Sequence, residues 1–495
     1  MYLHGRSLRL RKTGRRSNPS RVIFLVGLIF GGLLLLGLRT QQGRVQPLFQ
    51  PTTEPTRVPQ SYADEAEAQF AAGHMIEAIK AYKSATQADP KNLDYAVALA
   101  RIQIFAEKYQ DALNSANNAL LISPNDAKSR AIYAWALDWN VSAGCHCKTL
   151  AEAEAAAVQA IALDANYAPA HAYYSEVLND SAKWSQGYQE ADTSARLAPN
   201  LLESERALGY ANESVGNYQA AIEHYKAALK INPNLISIYL ELGINYRALK
   251  NYDQSIFYFG KANAIDPSNV EPFLYLSRTY YQNDELGTAI QYLDQALQIE
   301  PANPDIHGRL ALILFKRRNY EGAAPELRLA VAGGAVDSKG NPLFDAHGVP
   351  LNDSSGNPVK PVGQTLQVAP MPLDGSTPLE YYYTYGNLLA FLNKCGPDEA
   401  PKYLQLALNF KPDDPTVKSS YDESMAICTG KLSSQEAING TATPVGAAKP
   451  VSAASANQSG KPAARPTGCR RCSNTPGAWT HPGASAPPGG SVQRA

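Results

Sequence analysis

Small and apolar residues recur along this chain at intervals of three and four, the spacing that places side chains on one face of an α-helix. Ala221, Tyr225 and Ala228 form one such face, and a Gly216-Asn217 turn separates it from the helical pattern before it. The whole pattern returns after 34 residues, each time closed by a proline that ends the second helix. A fixed period of this length predicts a repeat architecture of paired helices. The prolines that mark it, with one longer gap, are Pro90, Pro124, Pro199, Pro233, Pro267 and Pro301.

The repeated units keep the same small and aromatic positions. Gly209 lies where two helices must approach closely, and the next two units carry Gly243, Tyr246, Ser255, Phe259, Ala262 and Pro267, then Ser277, Tyr280, Ala289, Leu293, Ala296 and Pro301. These residues resemble the tetratricopeptide repeat (TPR), and the chain resembles a membrane-anchored TPR protein of bacterial type. The resemblance implies an all-α, right-handed α-solenoid of helical hairpins, with a concave groove that binds peptides or proteins. The alternative is a non-repetitive helical bundle, although bundles show no self-similarity of this kind.

The repeat pattern divides the chain into segments. We expect about nine hairpins, with TPR units one to eight in residues 59–332 and unit nine in residues 379–412. Solenoids need a polar cap over the last apolar face, and a helix over residues 413–432 is expected to supply it. The tail at residues 433–495 is rich in Ala, Ser, Gly and Pro without periodicity, so we expect it to be disordered.

The period is interrupted at residues 333–378, which are rich in Gly, Pro, Asp and Asn. Two related strings, DSKGNPLFD at 337–345 and DSSGNPVKP at 353–361, occur in this segment. Turn-forming residues beside Val, Leu and Phe predict one or two small β-hairpins. A disordered loop is the alternative.

An uncharged apolar run, VIFLVGLIFGGLLLLGL at residues 22–38, follows a basic N-terminus at residues 1–21. As a helix it would span about 26 Å, close to the thickness of a hydrocarbon core. Basic residues are denser before the run than after it, so we expect a single transmembrane helix in the cell membrane, with the N-terminus cytoplasmic and the repeats extracytoplasmic. Residues 39–58 are expected to form an extended linker. A cleaved signal peptide is the alternative, although the run is long for one.

The formal net charge is zero, but the charges are unevenly distributed. Residues 1–21 and 437–495 together hold 13 basic residues and no acidic ones, which leaves 32 basic against 45 acidic residues in 22–436. An acidic body argues against nucleic acid as a ligand, because phosphate binding needs a basic surface.

Catalytic motifs are absent from the sequence, which has no Gly-x-Ser-x-Gly, His-Glu-x-x-His or Gly-Lys-Ser/Thr string. Cys145, His146 and Cys147 could ligate a metal, but a fourth ligand is not evident and an exposed loop or a local redox role is the alternative. Cys469 and Cys472 form a C-x-x-C in the tail, which is a weak signal for a redox or metal site. We therefore expect no enzyme activity, no cofactor and no metal.

The TPR resemblance also implies positions for the groove and for a disulfide. The first helix of each hairpin lines the groove in TPR folds, and here it would carry Arg101, Trp135, Glu176, Tyr210, Arg247, Arg278, Tyr281 and Phe315. Interleaved aromatic and charged side chains suit an extended peptide, although several of them could instead pack between hairpins. Cys395 and Cys428 end neighbouring helices of the stack, where a disulfide is permitted outside the cytoplasm. Two free thiols packed as small apolar groups are the alternative.

These expectations favour a non-catalytic scaffold, anchored in the membrane by one helix, that binds partner proteins or extended peptides in the TPR groove. The alternative is an accessory subunit of an envelope assembly, polysaccharide export or pilus/secretion machine, which would recruit an enzyme encoded elsewhere.

Overall fold

The computed structural model describes residues 19–41, 57–142, 149–345, 349–353 and 356–433, without the side chains of 35–41. The chain divides into two units, Met1–Val58 and Pro59–Ala495. The first contains helix α1 (Pro19–Gln41), whose apolar side chains between residues 22 and 34 are exposed. Among the described residues, none of the helices combines the length and the apolarity that crossing a bilayer requires. The transmembrane helix predicted at residues 22–38 is therefore not supported.

The second unit consists, within the described residues, of nine helical hairpins followed by one further helix. The hairpins are α2 and α3 (Pro59–Ala71, Met75–Ala88), α4 and α5 (Leu93–Phe105, Tyr109–Ile122), α6 and α7 (Ala127–Ser142, Leu150–Leu163), α8 and α9 (Ala168–Asp180, Trp184–Leu197), α10 and α11 (Leu202–Ser214, Tyr218–Ile231), α12 and α13 (Ile236–Ala248, Tyr252–Ile265), α14 and α15 (Glu271–Gln282, Leu286–Ile299), α16 and α17 (Pro304–Lys316, Tyr320–Ala332), and α18 and α19 (Ser376–Phe391, Ala400–Phe410); the last helix is α20 (Pro415–Cys428). The predicted all-α solenoid is thus confirmed.

Small residues let the two helices of a hairpin approach closely, and tight turns join them wherever the structure describes the connection. An added Cβ on Gly209 of α10 would lie 2.7 Å from the ring of Tyr225 on α11, so only glycine allows the two helices this approach. Between the helices, one residue of the turn takes a left-handed conformation. Glycine fills this position twice, with φ of 85° at Gly73 and 79° at Gly216. In six further described turns it is Glu107, Ala182, Lys250, Asp284, Arg318 and Asn393, with φ between 56° and 62°.

The first helices form the inner layer of the solenoid. Helix α4 packs on α6, α6 on α8 and α8 on α10, and each second helix packs on the outside of its own hairpin and the next. Alanines with no exposed surface, such as Ala100, Ala112 and Ala116, hold these layers together. Groups on the inner face of the first helices therefore define any groove.

The insertion between α17 and α18 contains two short strands and a ladder with a period of eight residues. Strand β1 (Gly334–Val336) pairs antiparallel with β2 (Leu366–Val368). The rungs of the ladder are single backbone bonds: Leu343 N donates to Ala335 O at 3.1 Å, Leu351 N to Leu343 O at 3.0 Å, and Val359 N to Leu351 O at 2.7 Å. An aspartate opens each period, and its Oδ1 accepts from the backbone N–H four residues later, at 2.9 Å for Asp337, 2.9 Å for Asp345 and 3.0 Å for Asp353. The insertion therefore contains antiparallel β-pairing, as the predicted hairpins require, together with eight-residue turns that each carry one antiparallel bridge.

Several predictions fall outside the described residues. They concern the string Cys145-His146-Cys147, most of the linker at 39–58, and the tail from residue 434 onward with Cys469 and Cys472. The structure leaves these as predictions.

Candidate binding groove

The inner face of the first five hairpins is occupied by the chain's own side chains. Arg101 on α4 forms an ion pair with Glu203 on α10, so the pair spans the interior from the second hairpin to the fifth. The Arg101 guanidinium also lies 4.9 Å from the ring centre of Phe70 and 5.5 Å from that of Phe105. Tyr210 hydrogen-bonds Asp180 in the same region. The predicted groove residues Arg101 and Tyr210 therefore contact the chain itself.

Glu176 is the centre of this filled region. Its Oε2 accepts from Nε1 of Trp135 at 2.7 Å and from Nε1 of Trp139 at 3.3 Å, and its Oε1 accepts from Arg206. Trp135 stacks on Tyr173 with ring centres 4.3 Å apart. Trp135 is 0% exposed and Glu176 is 1% exposed. These two predicted groove residues are core residues in the structure, and a peptide could reach them only after the core had opened.

The filled region is closed by contacts between distant repeats. Nδ2 of Asn234 donates to the carbonyl of Ala71 at 2.8 Å, and Nδ2 of Asn232 donates to that of Phe70 at 3.3 Å. The first hairpin thus touches the loop between α11 and α12. A cavity of about 20 Å³ remains inside, lined in part by Trp139. Such a volume holds about one water molecule, so no ligand fits there.

Two buried carboxyl groups lie at the edge of the filled region. Glu213 on α10 accepts from Asn245 Nδ2 at 2.8 Å and from the Tyr225 hydroxyl at 3.0 Å. Burial raises the pKa of Glu213 to about 7 despite these donors. Burial and the charge of Glu213 raise the pKa of Glu241 well above its usual value. Both carboxyl groups therefore favour their protonated form more than a free glutamate does.

The inner face opens beyond α12. We call the residues Arg278, Tyr281 and Phe315 of α14 and α16 the open wall. Arg278 is exposed, and Tyr281 and Phe315 are half-buried. The ammonium of Lys316 lies 4.5 Å from the ring centre of Tyr281, and Phe315 packs 5.4 Å from the ring centre of Tyr320. Three of the eight predicted groove residues therefore form a surface that a partner can reach.

Three arginines run obliquely along this part of the inner face. They are Arg247 of α12, Arg278 of α14 and Arg309 of α16. Consecutive arginines are 31 residues apart, so each stands three positions nearer the start of its repeat than the one before. The Arg247 guanidinium lies 5.6 Å from the ring centre of Phe259 and 5.5 Å from that of Tyr275. Burial, together with the positive charge of Arg278, lowers the pKa of Arg247 to about 9. The three groups are therefore close enough to repel one another.

The prediction from the sequence missed Arg309 and Arg206. The interval from Arg247 to Arg278 is 31 residues instead of the 34 of the repeat, and the same interval leads from Arg278 to Arg309. A search that allowed this shift would have found Arg309. Arg206 has no counterpart at either the equivalent or the shifted position, and only the packing of α10 against α6 and α8 shows its role.

The histidines of the solenoid are structural partners. His171 and His307 occupy the same position four repeats apart, and their Nδ1 atoms lie 2.6 Å from Glu190 and Glu326, respectively. Each Nε2 lies 3.0 Å from the backbone carbonyl six residues earlier. These rings join the two helices of a hairpin to the preceding loop, which fits the scattered distribution of histidines in the sequence.

Cys395 and Cys428 are joined by a disulfide, with their Cα atoms 5.3 Å apart. Cys395 follows α18 and Cys428 ends α20, so the bond fastens the last helix to the ninth hairpin. The predicted pairing is the one found, and the two free thiols of the alternative are not present.

Models of the tetratricopeptide repeat match residues 236–269 and 283–338, and a TPR repeat model matches residues 214–246. These matches cover α11–α13 and α15–α17 and confirm the tetratricopeptide repeats. None of the curated proteins matches the chain.

Two solved structures are each similar to part of the chain. The APC/C hetero-tetramer Cut9-Hcn1 is 17% identical over 54% of this chain and 51% of its own, with a TM-score of 0.44. The chain thus spans about half the length of that protein. MamA is 21% identical over 30% of this chain and 88% of its own, with a TM-score of 0.28.

Proposed function

We propose that this protein is a non-catalytic scaffold that binds a segment of a partner protein along the open wall. The observation that carries the proposal is the contrast between the two halves of the inner face. Trp135 and Glu176 are buried by the chain itself, whereas Arg278 is exposed beside the half-buried ring of Tyr281. Tyrosine and arginine are the residue types that most often carry the binding energy of protein interfaces.

The architecture also supports binding. The open wall is built on α14 and α16, which are held on their outer side by the second helices of their hairpins. A surface on packed helices is preformed, so the scaffold loses little conformational entropy when a partner associates. The charged groups of the filled region form ion pairs and hydrogen bonds within the chain, as Glu176 and Arg206 do, which is the arrangement of a structural core.

Affinity capture with a matched pair of variants tests the proposal. The full chain is immobilised and compared with Tyr281→Ala, on the open wall, and with Tyr188→Ala, an exposed residue of the outer helix α9 that is 46% accessible. Proteins retained by the parent and by Tyr188→Ala, but lost with Tyr281→Ala, are the expected result. Retention that is equal with all three chains would contradict binding at the open wall.

Attachment to a membrane is a separate part of the proposal. It is supported by the apolar sequence of residues 22–38 and by the exposure of the α1 side chains, such as 72% for Ile23 and 71% for Phe30. Fractionation of cells that express the full chain, with and without residues 1–44, tests it. Recovery of both chains in the soluble fraction would exclude the anchor while leaving the binding function intact.

A further inference from the structure

The row formed by Arg247, Arg278 and Arg309 contains a buried hydrogen-bond donor for which the described residues provide no acceptor. Nη1 of Arg247 is buried and has no hydrogen-bond partner among the described residues. A buried unpaired donor is costly, and more so on a charged group. The aromatic faces of Phe259 and Tyr275 hold the guanidinium in place but offer no acceptor for Nη1.

The neighbouring charges only partly compensate the three arginines. Nε of Arg309 donates to Asp305 at 2.7 Å, and Asp305 also accepts from the Tyr381 hydroxyl at 2.7 Å. Burial raises the pKa of Glu380 on α18, and the opposing influence of Arg278 shows that the two groups are close. Arg278 itself is exposed, and no ion pair within the described part of the chain engages its guanidinium.

We propose that Arg247 and Arg278 form an anion site on the inner face, and that its ligand is an aspartate or glutamate side chain of a partner's extended segment. This inference rests on the proposed binding function and specifies the chemistry of the partner. An acceptor oxygen at this point satisfies Nη1 of Arg247 and pairs with the free charge of Arg278. The aromatic ring of Tyr281, on the same helix as Arg278, takes an apolar neighbour of the acidic residue.

The charge balance favours a carboxylate over a phosphate group. Glu213 acts on Arg247, and Asp305 and Glu380 act on Arg278, so the nearby negative charge limits how much more the site can accept, and a single carboxylate adds only one. A phosphate would bring nearly two negative charges. Residues 1–21 and 437–495 hold basic residues and no acidic ones, so the side chains of these segments do not supply the carboxylate. The occupant is therefore an acidic segment of another protein.

The test uses the full chain and two fluorescein-labelled short peptides, one of alternating glutamate and glycine with a central tyrosine, and one with glutamine in place of each glutamate. Binding is followed by fluorescence anisotropy at low and moderate salt. We expect the glutamate peptide to bind at least about tenfold more tightly than the glutamine peptide, as expected for hydrogen bonds to charged groups. Its affinity falls as salt rises.

Variants locate the site. Arg278→Gln lies on the surface and keeps the fold, and Arg247→Gln is compared with it after circular dichroism shows that it is folded. Each is expected to weaken binding of the glutamate peptide by about tenfold, whereas Lys230→Gln, an exposed residue of outer helix α11, leaves it unchanged. If Arg247→Gln fails to fold, the result with Arg278→Gln decides.

Three results would overturn the anion site: no binding of the glutamate peptide by the parent, equal binding of the two peptides, or an unchanged affinity in Arg278→Gln. None of them removes the proposed function, which depends on the Tyr281-sensitive capture of a partner. Loss of that capture with an intact preference for the glutamate peptide would instead support the site and contradict the scaffold.

Discussion

Arg206 of α10 donates to Glu176 of α8, and this buried ion pair lies where a ligand would lie in an open groove. The pair is held by two indole N–H groups and by the faces of both tryptophans, with the Arg206 guanidinium 5.5 Å from the ring centre of Trp135 and 5.0 Å from that of Trp139. The first five hairpins are therefore wound around their own polar core. The proposed partner binding is accordingly assigned to the hairpins that follow.

Removal of the Glu176 carboxylate should strongly destabilise this core. Glu176→Ala leaves Arg206 as an unpaired buried charge, and we expect a loss of about 3–5 kcal/mol in the free energy of unfolding. Removing both partners, as Glu176→Leu with Arg206→Leu, should recover much of that loss. Urea denaturation measures both. Arg196→Gln, which breaks an exposed pair with Asp192, is the control and should cost less than about 1 kcal/mol. Similar losses for the Arg196 and Glu176 variants would show that the pair is not a core element.

Stability should fall as the pH rises, because of Glu213 and Glu241. Their pKa values are raised in the folded state by burial, so the folded protein binds protons more tightly than the unfolded chain. The resulting stability is fully present below the unfolded pKa of about 4.5 and is lost as the pH passes about 7, the folded pKa of Glu213.

Glu213→Gln tests this dependence, because its amide mimics the protonated carboxyl and does not titrate. The urea midpoint of the parent should decrease between pH 5 and pH 8 by more than that of the variant. The difference between the two slopes isolates Glu213 from other titrating groups such as His171. Parallel slopes in parent and variant would mean that Glu213 does not titrate in this range.

Substitution by alanine at two glycines of the sixth hairpin should change the stability of the protein in opposite directions. A Cβ on Gly243 of α12 would overlap the ring of Phe259, whereas a Cβ on Gly260 of α13 meets nothing within 4 Å. Gly243→Ala should lower the free energy of unfolding by about 1–3 kcal/mol through overpacking. Gly260→Ala should raise it by at most about 1 kcal/mol, because alanine favours the helix. Thermal unfolding of the two variants checks the prediction, and a stabilised Gly243→Ala would refute the close packing.

The Cys395–Cys428 disulfide should protect the C-terminal end of the solenoid. Its removal, as Cys395→Ala with Cys428→Ala, is expected to cost about 2–4 kcal/mol, although the loss should be local because each repeat contacts only its neighbours. Hydrogen exchange should therefore increase in α20 and α19 and stay unchanged in α4. Uniform deprotection of all the helices would contradict a local role.

The sequence is sufficient to predict the hairpins, because each hairpin is determined by local contacts. Positions such as Gly209 and Tyr225 are set by contacts within one hairpin, and these contacts recur at fixed spacing. The filled groove is not predictable in this way, because the contact of Asn234 with Ala71 depends on the rotation summed over five hairpins. A small change in the angle between neighbours would separate these residues and open the interior.

The insertion between α17 and α18 shows a second limit of prediction from the sequence. The strings at 337–345 and 353–361 are visibly related, and the intervening string at 345–352 keeps their pattern through Asp345, Gly348 and Pro350 but has Val349 where the other two have asparagine, so it is not predicted as a third turn. All three turns make the same bond from a backbone N–H to the leading aspartate. That bond depends on the aspartate and the backbone, so the residue at the donor position is free to vary.

The central claim, that partners bind the open wall and not the outer surface, is tested most directly by photo-crosslinking in cells. A benzophenone amino acid is placed at position 281 of the open wall in one chain and at position 188 of α9 in another, and adducts are detected after irradiation. We expect adducts with a partner protein from position 281 and none from position 188. Adducts from position 188 alone, or in equal yield from both positions, would contradict it.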